Sequence, residues 1–312
     1  HSAEMSVINS AGAQCAPLQM CLKVMFMQKR SEQEMFDEIL SFAREDERVR
    51  AVWMNGSRAN PNAPRDGWQD FDIVFAVTDM DPFLADDSWV DRFGERVMMQ
   101  SRRDQYDAYD EQEIPDFSDW FIYLMQFADG NRMDLSLIPV KNAAKEVCSD
   151  SMCVVLLDKD GLLPEIPPAS DEQYRVKGPS ALEFHCSVNE FRWVSSNVAK
   201  GLWRGEVSYA QAMLSILREE LLRQLSWKAG ILTDFSANPG KCGKFLPKFL
   251  PEGDWAEFLE TYARGDTADL WRAMDAAWAL FSRVSRENAA AFGFPLDLGE
   301  EARMGKYLRR ER

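Results

Sequence analysis

Apolar residues recur at helical spacing through Met35, Ile39, Leu40 and Ala43, directly after Ser31-Glu32-Gln33-Glu34, which has the form of a capping box. The pattern predicts a first helix from about Ser31 to Asp46. Arg50 to Met54 then reads as a short buried strand, broken by Asn55-Gly56-Ser57. A polar loop from Asn60 to Gly67 leads into Asp70 to Val77, a second strand rich in β-branched and aromatic residues. Asp87 to Arg103 has helical spacing, and Asp104 to Ser118 is acidic and irregular around Pro115. Trp120 to Phe127 and Arg132 to Ile138 are strand-like runs joined by Ala128-Asp129-Gly130-Asn131. Those four residues tolerate positive φ and so predict a hairpin. Val154 to Leu157 adds a further strand, and the proline-rich passage Pro164 to Pro168 marks a change of character.

From Ser180 onward the periodicity is helical. Phe184, Val188, Phe191, Val198 and Leu202 form one apolar stripe. Ser208 and Gln211 have the form of a second capping box, and Gly230 sits where a C-terminal cap belongs. Asp254 to Tyr262 and Ala268 to Phe292 supply two more helices, the latter ending at Gly293. The expected fold class is therefore α+β: a mixed sheet with flanking helices over residues 27–160, then a helical bundle over 178–296 and a C-terminal tail over 297–312. Residues 1–26 read as a leader or added segment, because Lys23 interrupts the stretch from Ala16 to Met27 and no cleavage-site pattern follows; Met25 or Met27 is then a natural start.

Charge narrows the function. The net charge of −15 opposes a phosphate-backbone binder, which needs a clustered basic face, so nucleic acid is not an expected partner. An acidic protein concentrates a polycationic ligand around itself, although the same charge also serves solubility. No run of about eighteen uncharged apolar residues occurs, which argues against a membrane span. Cys15, Cys21, Cys148, Cys153, Cys186 and Cys242 form no CxxC pair and no zinc spacing with His1 or His185; they read as reduced, mostly packing thiols of a cytoplasmic protein.

Three pieces of candidate chemistry follow in order: Gly56-Ser57 after the first strand, Asp70-x-Asp72 on the second, and Asp134 on a later one. Strand side chains alternate, so Asp70 and Asp72 project from one face. A third carboxylate from a neighbouring strand completes a cluster of hard oxygen donors suited to Mg²⁺. Two ions about 3.5–4 Å apart would stabilise the attacking and leaving oxygens of a displacement at phosphorus. Asp134 carries particular weight, because it sits between Met133 and Leu135 in an apolar strand, where an unpaired charge is expensive.

The order Gly56-Ser57, Asp70-x-Asp72, Asp134 resembles the nucleotidyltransferase pattern of DNA polymerase β-like enzymes. The longer blocks Asn55 to Asn62, Gln69 to Val74, Asp129 to Leu135, Asn197 to Glu206 and Gly240 to Leu246 are similar to the aminoglycoside 6-adenylyltransferases that modify streptomycin. The likeness runs from about Met27 to Leu308. It implies a polymerase β-like nucleotidyltransferase domain that moves AMP from ATP to an aminoglycoside hydroxyl. Asp70 and Asp72 would then bind magnesium, and Asp134 would complete the metal site or take the hydroxyl proton. Gly56 and Ser57 would hold the phosphates with Arg58 nearby, and Lys200, Lys241 and Lys244 are the candidate basic groups from elsewhere. Glu183 and Glu190 share a helix stripe and would pair with guanidinium groups of the antibiotic, or Glu190 would act as general base. Two other readings remain open: the same fold with a different small-molecule or protein acceptor, and a non-catalytic nucleotide-binding protein.

Overall fold

A computed structural model describes residues 28–104 and 116–310. The leader at 1–26, Cys15 and Cys21 with it, and most of the irregular acidic run (105–115) lie outside the described residues. The chain divides into two compact units, 1–170 and 171–312.

In the first unit, helix α1 (Glu32–Glu45) begins at the capping box: the Ser31 side chain accepts from the Glu34 backbone N–H, and the Glu34 carboxylate accepts from the Ser31 backbone N–H. Met35, Ile39 and Phe42 on its inner face are buried. The sheet comprises β1 (Val49–Asn55), β2 (Phe71–Val77), β3 (Arg96–Ser101), β4 (Phe121–Phe127), β5 (Arg132–Pro139) and β6 (Val154–Asp158), in the order β3-β4-β5-β2-β1-β6. Only β2 and β5 pair in parallel; the other neighbours are antiparallel. The mixed sheet with flanking helices is the architecture expected.

Alternation assigns the two faces. Phe71, Ile73 and Phe75 of β2, with Leu135 and Leu137 of β5, join the core beneath α1. Val74, Ala76 and Ile138 point the other way, packing with Trp53 and with Ala143 of helix α2 (Val140–Glu146). By the same alternation Asp72 and Asp134 belong to this second face, at the starts of their strands.

One expectation fails here. Asp87 to Arg103 is not a helix: a 3-10 segment over Asp87–Phe93 ends at Gly94, whose φ is 123°, and β3 then pairs with β4. As an edge strand β3 leaves Val97 60% and Met98 64% exposed, so two-sided burial imposes no alternation for a pattern to reveal.

The second unit is helical. It comprises α3 (Ala181–Trp203), α4 (Val207–Leu232), α5 (Glu252–Leu259), α6 (Thr267–Phe292) and α7 (Leu298–Arg310), around a core that includes Phe191, Leu217, Leu221, Met274 and Phe281. Ser180 and Glu183 form the capping box of α3, and Gly293 caps α6 in the left-handed conformation. Three details depart from expectation. Helix α4 starts before Ser208, with Glu206 at its cap position and no side-chain cap bond, while the Gln211 amide donates to the Ala263 carbonyl (3.1 Å). Gly230 is interior to α4 rather than its cap: a Cβ there would lie 2.8 Å from Phe235 Cδ1, so glycine lets the following turn fold back on the helix. The segment after 297 is the helix α7, not a tail, held by Arg192 to Glu300 (3.2 Å) and Glu301 (3.4 Å) and by the buried Leu308. Among the described residues no helix is long and apolar enough to cross a membrane. The four described cysteines are free thiols, but only Cys153 is buried; Cys148, Cys186 and Cys242 are exposed, so packing explains one of them.

Candidate active site at the β2–β5 carboxylates

The parallel pairing of β2 with β5 puts Asp72 opposite Asp134, and the antiparallel pairing of β1 with β2 puts Asn55 opposite Asp72. Asp70 precedes β2 by one residue. Two carboxylates so become register partners, with the third two residues upstream.

Electrostatics record the convergence. Burial, and after it the negative charges of Asp134 and Asp70, together push the Asp72 carboxyl up from 3.8 to about 6, against the opposing charges of Arg132 and Arg58. A site that resists its own ionisation in this way favours a cation.

Arginine occupies that role here. The Arg132 guanidinium donates from Nε to Asp134 Oδ1 (2.9 Å) and from Nη2 to Oδ2 (3.0 Å), and its Nε lies 3.6 Å from Asp70 Oδ2. Both oxygens of Asp134 are thus engaged. Among the described residues no group of three or more His, Cys, Asp or Glu side chains is arranged to hold a metal ion. The donor chemistry and the charge suit a divalent cation, while the arrangement as it stands seats a guanidinium. One further oxygen lies near: Asn55 Oδ1 is buried with no hydrogen-bond partner. Sequence reasoning missed both residues. Arg132-x-Asp134 on a strand was a readable signal, since side chains two apart share a face.

Gly56 and Ser57 follow directly from β1 in a single helical turn, Gly56–Ala59. Gly56 has φ 75°, and a Cβ built on it would lie 2.1 Å from Asp72 Oδ2. Only glycine lets the chain pass this carboxylate. Ser57 is half-buried, its carbonyl accepting from the Gln69 amide (3.2 Å).

Arg58, expected near the phosphates, is buried: Nη1 pairs with Glu32 (2.9 Å), Nη2 donates to the Gln69 carbonyl (2.7 Å) and Nε to that of Asp70 (3.2 Å). Its guanidinium also stacks 3.8 Å from the Phe71 ring centroid. Arg58 clamps the entry to β2 and so fixes where Asp70 and Asp72 begin. Arg58→Ala should lower the stability of the first unit by about 2 kcal/mol, the scale of charged hydrogen bonds, as read by urea denaturation.

The remaining candidates lie in the second unit. The Glu183 carboxylate accepts from the Ser180 N–H (2.7 Å) and so serves the α3 cap. Glu183 and Glu190 also line a cavity of about 420 Å³ with Leu182, Cys186, Glu220 and Arg223. Lys200 is exposed and donates to Asn197 Oδ1 (3.3 Å). Lys241 and Lys244 are exposed at a 3-10 turn, Lys241–Gly243, and the Lys244 ammonium lies 5.1 Å from the Phe245 ring centroid.

The family model described as streptomycin adenylyltransferase matches residues 29–311. The chain belongs to the streptomycin adenylyltransferase family. It is 39% identical over 270 residues to an aminoglycoside 6-adenylyltransferase of Bacillus subtilis (strain 168), covering 85% of this chain and 93% of that protein. A Campylobacter jejuni aminoglycoside 6-adenylyltransferase is 37% identical over 284 residues, covering 91% and 96%. A crystal structure of an aminoglycoside 6-adenyltransferase from Bacillus subtilis is 34% identical, covers 90% of this chain and 98% of its own, and superposes with a TM-score of 0.44. As a streptomycin adenylyltransferase family member the chain is an enzyme, a nucleotidyltransferase, which removes the reading as a non-catalytic nucleotide-binding protein.

Proposed function

We propose that this nucleotidyltransferase moves the AMP group of ATP onto a hydroxyl of an aminoglycoside of the streptomycin type, releases pyrophosphate, and so inactivates the antibiotic. The observation that carries the reading is the meeting of Asp72 and Asp134 as register partners, with Asp70 close enough to raise the Asp72 pKa. That three-carboxylate edge belongs to a chain whose relatives are named aminoglycoside 6-adenylyltransferases.

Asp70, Asp72 and Asp134 would hold Mg²⁺, which when bound supplies neutralisation of charge on the phosphate oxygens. The backbone at Gly56 and Ser57 cradles the phosphates, the missing Cβ of Gly56 letting that turn lie against the Asp72 carboxylate. The acceptor oxygen attacks the α-phosphorus; the new P–O bond forms as the bond to pyrophosphate breaks, and the hydroxyl proton passes to a carboxylate. Asp134 or Glu190 takes that proton. Phosphoryl transfer depends mainly on positioning and charge, so the lysines 200, 241 and 244 are assigned to the nucleotide as counter-charges. The acidic lining at Glu183 and Glu190, and the net charge of −15, favour a cationic acceptor. Free thiols at Cys148, Cys153, Cys186 and Cys242 suit a reducing compartment, and we place the reaction in the cytoplasm.

Mass spectrometry of streptomycin after incubation with protein, ATP and Mg²⁺ tests the reading. Gain of one AMP per antibiotic, with equimolar pyrophosphate, is expected. Pyrophosphate release without a mass gain on any member of an aminoglycoside panel would transfer the reaction to another acceptor.

A further inference from the structure

We propose that Arg132 is the built-in counter-cation of the carboxylate edge: it holds Asp134 and Asp70 when no divalent ion is bound, and competes with an ion for Asp134. This rests on the proposed reading of Asp70, Asp72 and Asp134 as metal ligands.

The geometry is specific. Arg132 and Asp134 lie two apart on β5, on one face of the strand, and meet through two parallel N–H···O bonds of 2.9 and 3.0 Å. The same Nε reaches towards Asp70 Oδ2 at 3.6 Å, so one guanidinium spans two of the three carboxylates. Asp134 is 17% exposed against 43% for Arg132. The carboxylate is therefore fixed in the sheet, while the arginine has solvent to move into. A fork of this kind keeps the three carboxylates from spreading apart under their own repulsion. It also occupies one acceptor site on each Asp134 oxygen, so Arg132 and a divalent ion compete for the same carboxylate.

Arg132 is thus a positioning residue that sets the ion affinity of the nucleotide-free protein. Removing its charge should strengthen divalent binding, because a competitor and a repulsive charge both disappear. At a separation of a few ångströms in a solvated site, one such charge against a divalent ion corresponds to about a tenfold change in affinity.

The test is a Mn²⁺ titration of the full chain without nucleotide, read by electron paramagnetic resonance. Wild type, Arg132→Gln, Arg132→Lys and Asp70→Asn are compared. Arg132→Gln should bind about tenfold tighter than wild type, Arg132→Lys should fall between them, and Asp70→Asn should bind most weakly. Thermal melts of the same samples separate folding from binding: a purely structural arginine would lower the melting temperature and leave Mn²⁺ affinity unchanged or weaker. That result, with Asp70→Asn still impaired, overturns the role of Arg132 alone. Absence of binding in all four, or binding insensitive to Asp70→Asn, overturns the metal assignment and this proposal with it.

Discussion

Asp72→Asn should abolish adenylyl transfer, lowering kcat by about 10³-fold or more, because several kcal/mol of phosphate-charge stabilisation depend on this ligand. The fold should survive. Asp72 is held at a cost when ionised: its carboxyl titrates at about 6 in the folded protein against 3.8 for the unperturbed group. The folded state therefore retains a proton that the unfolded chain releases. Stability from this group is fully present below about pH 4 and is lost as the pH rises through about 6, on the order of 2–3 kcal/mol in all. Denaturation curves of the metal-free protein across that window should show the decline in wild type and not in Asp72→Asn. Wild-type metal binding should run the other way, weakening as the pH falls below about 6 and the carboxyl takes its proton. An asparagine variant with near-normal turnover, or one that is less stable than wild type at neutral pH, would contradict the assignment.

Gly56→Ala should be the second most damaging change. The added methyl would stand 2.1 Å from Asp72 Oδ2, on a residue whose φ is +75°. Left-handed backbone costs a non-glycine residue about 1–2 kcal/mol, and the clash adds to it. Relief comes most easily by rotating the Asp72 carboxylate or shifting the turn that carries Ser57. Either displaces a group by about an ångström, a scale that costs around 10²-fold in kcat/KM. Steady-state kinetics with varied ATP would register the loss in kcat as well as in KM. An alanine variant with wild-type constants would show that the backbone here does not approach the nucleotide.

Legibility from sequence followed the strength of local constraint. The strands β1, β2, β4 and β5 are buried on at least one face, and the Asp129-Gly130 turn admits few alternatives, so pattern and turn chemistry agreed with the fold. Strand β3 was misread because an edge strand carries no enforced alternation, and its pairing with β4 comes from distant residues. Helix α7 was missed because six of its thirteen residues are charged and two more are glycine, and its anchors, Arg192 with Glu300 and Glu301, lie more than a hundred residues apart. The shared face of Asp72 and Asp134 was legible through strand alternation, whereas Asp70, read as part of the strand, precedes β2 by one residue. The partners of Arg58 were not legible, because the Glu32 carboxylate and two backbone carbonyls that hold its guanidinium lie at positions no local pattern links to it. Arg132 went unassigned although its spacing from Asp134 was in plain view; an ion pair within one strand carries no periodic signal of its own.

Anomalous diffraction from crystals grown with Mn²⁺ and a non-hydrolysable ATP analogue reaches the central claim most directly. A strong manganese peak within coordination distance of Asp70 and Asp72, with Arg132 turned off Asp134, is the expected result. Manganese bound only elsewhere, with the Arg132–Asp134 pair intact beside an ordered nucleotide, would contradict it.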